Sequence, residues 1–183
     1  HKEEQYRTAM LADALTYYEI NLTTDQVENV KGMWHPSLPQ PDNLSYSRLV
    51  RELYQKVISP DTREEYWALV SPEALMTSFH RGGTELRCEH RRLNAAGMYQ
   101  WMLVTVHLLE DPETRELKGF TYLRNIDRQK REELALKYRS QYDLMTRLYN
   151  KVTAEEKIQE VLSSSEQDLV HAVMIVDIDN FKA

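Results

Sequence analysis

Only one cysteine, Cys88, occurs among 183 residues, so no disulfide can close within the chain, and that scarcity fits a reducing compartment. Basic charge is in deficit, with 23 Lys and Arg against 29 Asp and Glu and a formal net charge of -6. That balance argues against a nucleic-acid backbone as partner. No apolar run approaches the roughly eighteen residues needed to span a bilayer, and no signal-peptide pattern opens the chain. A cytoplasmic location is expected, with membrane attachment of a longer parent through other regions left open. Metal-ligand spacing is also lacking. Cys88 and His90 share one face of an expected strand and His80 precedes Gly82-Gly83, but these three match no zinc pattern. Neither His80 nor His35 is distinguished as an axial ligand, so neither zinc nor haem is expected.

What is present is concentrated at the C-terminal end. Ala172–Val176 is an unbroken apolar run, read as the buried part of a strand reaching Ile178, and it ends in two aspartates one residue apart, Asp177 and Asp179. Residues two apart on a strand project to one side, and paired carboxylates there suit a hard divalent cation. The same residues also suit a solvated strand end or the cap of a following helix. Upstream, Tyr142–Lys151 reads YDLMTRLYNK and is followed by a helical run in which Val152, Ile158, Val161 and Leu162 form one apolar stripe.

Together the two segments resemble the opening of the GGDEF domain of diguanylate cyclases, which begins D-x-L-T-x-L-x-N-R and whose first core strand ends D-[IV]-D-x-F-K. Asp143, Thr146, Leu148 and Asn150 match the first pattern, with Met145 and Lys151 standing in for leucine and arginine. Asp177, Ile178, Asp179, Phe181 and Lys182 match the second throughout. The resemblance implies that the Asp177 carboxylate and the Ile178 backbone carbonyl hold Mg²⁺ against the triphosphate of GTP. Backbone N–H groups of Asn180, Phe181 and Lys182 would lie near phosphate oxygens. Asp179, Asp143, Thr146 and Asn150 are implied to be structural or supporting. The Gly-Gly-(Asp/Glu)-(Glu/Asp)-Phe turn itself is absent from these residues, and the forty or so from Asp143 onward fall below the size of an independent core. Residues 1–183 alone are therefore expected to be inactive, and the Ala172–Ile178 strand to pack on, or exchange with, a second copy.

The preceding two thirds read as a sensor. Glu3–Leu15 has helical spacing. The period then changes to two, placing Tyr18, Ile20 and Leu22 on one face and Tyr17, Glu19 and Asn21 on the other, with a second strand ending near Trp34. His35–Asn43 carries three prolines and reads as a loop. Helices follow from a Ser45 cap and over Thr62–Phe79, then three strands over Thr84–Leu93, Met98–Leu109 and Lys118–Asn125. Arg87, Arg91 and Arg92 beside Glu85 and Glu89 are expected on a solvated strand face. Tyr17, Trp67, Tyr99 and Trp101 are expected as packing residues rather than as the lining of a ligand cavity. Two strands, short helices and three strands resemble a PAS domain, with Asn125-Ile126-Asp127 where such domains end in Asp-Ile-Thr. Its ligand is not identifiable from the sequence.

Residues 128–142 are charged and glycine-free, with Leu134, Tyr138, Tyr142 and Met145 at helical spacing. This reads as a connector whose stripe is either a coiled-coil seam or a surface on the PAS sheet; the seam is adopted here, implying a homodimer. The expected fold class is α+β: a PAS domain over residues 1–126, a connector helix over 127–142 and the start of an α/β GGDEF domain over 143–183. The expected function is the sensory and dimerising part of a bacterial enzyme making cyclic di-GMP from two GTP. The alternative is a PAS plus degenerate GGDEF regulatory module ahead of an EAL-type phosphodiesterase.

Overall fold

The computed structural model describes residues 13–163 and 172–176, and the chain divides into two units, residues 1–131 and 132–183. The expected helix over Glu3–Leu15 lies outside the described residues except for Asp13–Leu15, which are not helical.

In the first unit, the alternation of Tyr18, Ile20 and Leu22 against Tyr17 and Glu19 builds strand β1, Thr16–Asn21. The chain reverses where Asn21 Oδ1 accepts the N–H groups of Thr23 and Thr24, both at 3.1 Å. Asp25, at φ 55, completes the turn into β2, Gln26–Gly32. Between Tyr17 and Glu19 the register with β2 slips by one residue, a bulge accommodated by Asn29 at φ 48, a residue type that tolerates the left-handed region. Gly32 ends β2 at φ 85, where a Cβ would sit 2.4 Å from the Leu15 carbonyl oxygen, so only glycine fits without displacement.

The crossover carries the expected helices. Helix α1 spans Tyr46–Glu52, and Ser45 caps it by accepting from the Arg48 N–H at 3.3 Å. It runs on into a π-helical turn, Leu53–Val57. The region expected as one helix over Thr62–Phe79 is two, α2 at Arg63–Val70 and α3 at Pro72–His80. Pro72 supplies the reason: the residue before proline is forced out of the helical region, and Ser71 is extended at ψ 151 while its hydroxyl caps α3.

Strands β3 (Glu85–Leu93), β4 (Tyr99–Glu110) and β5 (Leu117–Asn125) form the expected antiparallel meander. β5 returns to pair with β1, so the sheet order is β2-β1-β5-β4-β3 with every neighbour antiparallel. This order, with the helices between β2 and β3, is the PAS fold. The helices cover one face of the sheet, where Ile20, Val104, Val106, Leu108 and Leu123 meet Leu49, Val50, Val57, Val70 and Leu75. Tyr46 is buried among them and its hydroxyl donates to the Val70 carbonyl at 2.7 Å.

Helix α4 spans Asp127–Gln141 and buries none of its residues; Leu134, Leu136 and Tyr138 are exposed. Its start is tied to the sheet, because Asp127 Oδ1 accepts from the Trp101 N–H at 3.1 Å while Asn125 Oδ1 accepts from the Asp127 N–H at 2.9 Å. The altered end signature therefore still makes polar contacts to β4. The helix stops before Tyr142, so the expected stripe is cut: Tyr142 and Met145 lie beyond the helical repeat. In the second unit, α5 spans Lys151–Ser163 with Thr153 its one buried residue.

One expectation is corrected outright. Ala172–Val176 belongs to no strand, and Val173–Val176 are 58% to 91% exposed. Strand geometry is held by hydrogen bonds to a neighbour, and no described residue pairs with this segment.

Candidate functional site

The residues matching the first pattern form a compact turn between α4 and α5. Asp143 Oδ1 accepts from the Met145 N–H at 3.1 Å, the Thr146 N–H at 2.8 Å and the Thr146 hydroxyl at 2.8 Å. Those bonds, from Thr146 first, hold the Asp143 carboxyl below the usual carboxylate range. The loop closes with Asp143 N–H to the Leu148 carbonyl and Arg147 N–H to the Asp143 carbonyl, Arg147 sitting at φ 60. Asn150 works in both directions: its Nδ2 donates to the Ser140 carbonyl at 2.7 Å, and its Oδ1 accepts from the Thr153 N–H at 3.0 Å, capping α5. Tyr138 and Tyr142 stack at 4.4 Å and Tyr142 and Tyr149 at 4.9 Å, joining the helix end to the turn. Asp143, Thr146 and Asn150 are thus brought together, each spent on backbone groups of the turn.

The second pattern cannot be placed beside them. Asp177, Ile178, Asp179, Asn180, Phe181 and Lys182 all lie outside the described residues. Among the described residues no group of three or more His, Cys, Asp or Glu is arranged to hold a metal ion.

The first unit holds a second candidate, on the inward side of β3. Cys88, His90 and Arg92 share one face of this strand by the two-residue repeat, and that face meets the helices. Burial pushes the Cys88 thiol up to about 12 and the His90 imidazole down to about 3. His90 packs on the ring of Tyr66 at 4.7 Å, its Nδ1 lies 3.4 Å from the Cys88 carbonyl, and its buried Nε2 has no hydrogen-bond partner.

Arg92 corrects an expectation. Arg87 and Arg91 do pair at the surface, with Glu85 at 2.5 Å and Asp61 at 3.0 Å, but Arg92 turns inward. Burial lowers its pKa, opposed by the phenol groups of Tyr66 and Tyr18. It helps line a cleft of about 410 Å³ at the end of the sheet, together with Trp34, His35, Met33, Met102 and Leu123. The signal was available in the parity Cys88, His90, Arg92; treating three arginines as one cluster hid it.

Residues 140–183 match the family model for the diguanylate cyclase GGDEF domain. Solved structures resembling the chain include a sensory box histidine kinase/response regulator from Burkholderia thailandensis E264, at 16% identity and TM-score 0.48, covering 85% of this chain and 98% of that one. The N-terminal domain of a diguanylate cyclase with PAS/PAC sensor from Marinobacter aquaeolei aligns at 17% identity and TM-score 0.44, covering 63% and 97%. The light-state structure of the blue-light photoreceptor Aureochrome1 LOV aligns at 10% identity and TM-score 0.40, covering 67% and 96%. No curated protein matches the chain.

Proposed function

We propose that this chain is the sensory and connecting part of a diguanylate cyclase that makes cyclic di-GMP from two GTP molecules. The observation that supports the reading is the order of parts along one chain: a PAS-fold unit, the exposed helix α4, then residues 140–183 with their GGDEF match. On this reading the domains follow the expected limits, with PAS over 1–126, connector over 127–142 and the GGDEF start over 143–183.

The roles fall into two groups. Asp143, Thr146 and Asn150 hold the turn that launches α5, a positioning role supported by their bonds to backbone groups. The Asp177 carboxylate and the Ile178 carbonyl would hold Mg²⁺, which prefers such oxygen donors and supplies neutralisation of triphosphate charge when bound. The N–H groups of Asn180, Phe181 and Lys182 would donate to phosphate oxygens, and Asp179 would support the loop. The only Gly-Gly pair in the chain, Gly82-Gly83, continues Thr-Glu-Leu inside the sensor unit, so residues 1–183 alone carry no turnover.

Joining two GTP molecules requires two nucleotide-bearing domains to face one another. The exposed Leu134 and Tyr138 of α4 supply a seam for a homodimer, through which the sensor sets how often the two domains meet. Asp177→Asn in the complete protein tests the assignment. Turnover is expected to vanish while the far-UV circular dichroism stays that of the unchanged protein; substantial remaining turnover overturns it.

A further inference from the structure

We propose that the cleft at the end of the sheet binds a small organic monocarboxylate, its anionic group paired with Arg92 and its apolar body lying against Met33, Met102 and Leu123. Neither the PAS fold nor the nucleotide-cyclase reading assigns a ligand here, and the inference stands independently of that reading.

Three observations carry it. The first is the state of Arg92, which is half-buried and whose guanidinium makes no hydrogen bond or ion pair with any described residue. A guanidinium partly withdrawn from water gains from an anion that meets it, and its electrostatic neighbours here are the phenols of Tyr18 and Tyr66 and the imidazoles of His35 and His90. All four are uncharged at neutral pH: burial raises both phenols and lowers both imidazoles. A cation among four neutral rings has no internal counter-charge.

The second is the cleft itself. At about 410 Å³ it falls within the range of small-molecule pockets, and Arg92 is part of its wall. Several of the other polar atoms there are already engaged. Asn94 Oδ1 accepts from the N–H groups of Ala96 at 2.9 Å and Met98 at 3.0 Å, Asn125 donates to Gln100 at 3.4 Å, and His35 Nδ1 accepts from the Ser37 N–H at 3.2 Å. What remains to recognise a ligand is the guanidinium fork, the one cation of the lining among the described residues, with the unpartnered Nε2 of the neutral His35 beside it.

The third is the chemistry of the wall. Trp34 is fixed by donation from its indole N–H to the Pro39 carbonyl at 2.8 Å and offers an apolar surface beside Met33, Met102 and Leu123. One fork and an apolar wall suit one carboxylate with a hydrocarbon or aromatic body, since planar guanidinium meets carboxylate with two parallel bonds. A phosphate dianion would need further donors, and the lining supplies no second free cation among the described residues.

The test uses the complete chain with benzoate, phenylacetate, indole-3-acetate and 3-methylbutanoate, each against its neutral amide, by calorimetry and by the indole N–H resonance of Trp34. At least one acid is expected to bind about tenfold or more tighter than its amide, as a bond to a charged group predicts, and to shift that resonance. Arg92→Met is expected to abolish the preference for acid over amide; should it fail to fold, Arg92→Lys is expected to keep the preference with weaker binding. The proposal is overturned if no acid binds, if acids and amides bind the unchanged protein alike, if the Trp34 resonance is unmoved by a bound acid, or if Arg92→Met retains the preference.

Discussion

The two units treat their apolar residues in opposite ways. In the first, Ile20, Val50, Val57, Leu75 and Val106 are each at most 1% exposed, and the sheet and crossover helices form one core. In the second, Leu148, Val152 and Leu162 are 68%, 63% and 59% exposed, and order comes from the Asp143 and Asn150 side chains and the tyrosine stack. Among the described residues, burial of hydrocarbon is therefore the stabilising term in the first unit and local polar bonding the one seen in the second. Local bonding fixes a shape with few residues but contributes little resistance to unfolding.

That contrast can be broken first in the sensor core. Leu75→Ala is expected to destabilise the first unit by about 2–5 kcal/mol in urea unfolding, because a fully enclosed side chain leaves a cavity. A loss below about 1 kcal/mol would mean that the helices pack less tightly on the sheet than the burial of Leu75 implies.

An acid titration sharpens the same side. His90 is held neutral in the folded state, with its pKa lowered from 6.5 to about 3 by burial. The unfolded chain binds the proton first as pH falls, so this stabilising contribution is complete above about pH 6.5 and is lost progressively toward pH 3. His90→Phe is expected to flatten the fall in unfolding free energy between those limits; an unchanged slope would show that other groups dominate it.

On the other side, Asn150→Ala removes two bonds and the α5 cap, an expected local loss of about 1 kcal/mol. Amide exchange should accelerate over residues 150–154 while β4 stays protected. Smallest of all, Leu148→Ala is expected to change stability by less than about 0.5 kcal/mol, since its side chain is mostly in water. A larger loss measured in solution would reveal a partner surface covering it.

Legibility in the sequence follows the same divide. Tyr18, Ile20 and Leu22 announced β1 by their alternation, although Tyr17 and Asn21 on the other face are buried too, and the three-strand meander was bounded by its turn residues. The break at Ser71-Pro72 was equally local, but a long apolar periodicity outweighed it in the reading. Arg92 was harder, since composition places arginine outside and only its parity with Cys88 and His90 points inward. In the candidate nucleotide site, Asp143 and Asn150 could be recognised from the pattern they match, and their bonds explain why the pattern needs those residue types. The strand over Ala172–Val176 was misjudged for a physical reason: apolar content signals that a segment would pair, and pairing depends on a neighbour elsewhere.

The enclosed sulfur of Cys88 turns the sensor unit into its own clock. A thiol buried to 3% exposure, with its pKa raised to about 12, holds almost no thiolate at neutral pH and stays closed to alkylating reagents. Because no other cysteine competes, any maleimide incorporated under native conditions marks a moment when Cys88 was uncovered, and the labelling rate reports the population of that open state when reclosing is fast and the opening rate when alkylation outpaces it.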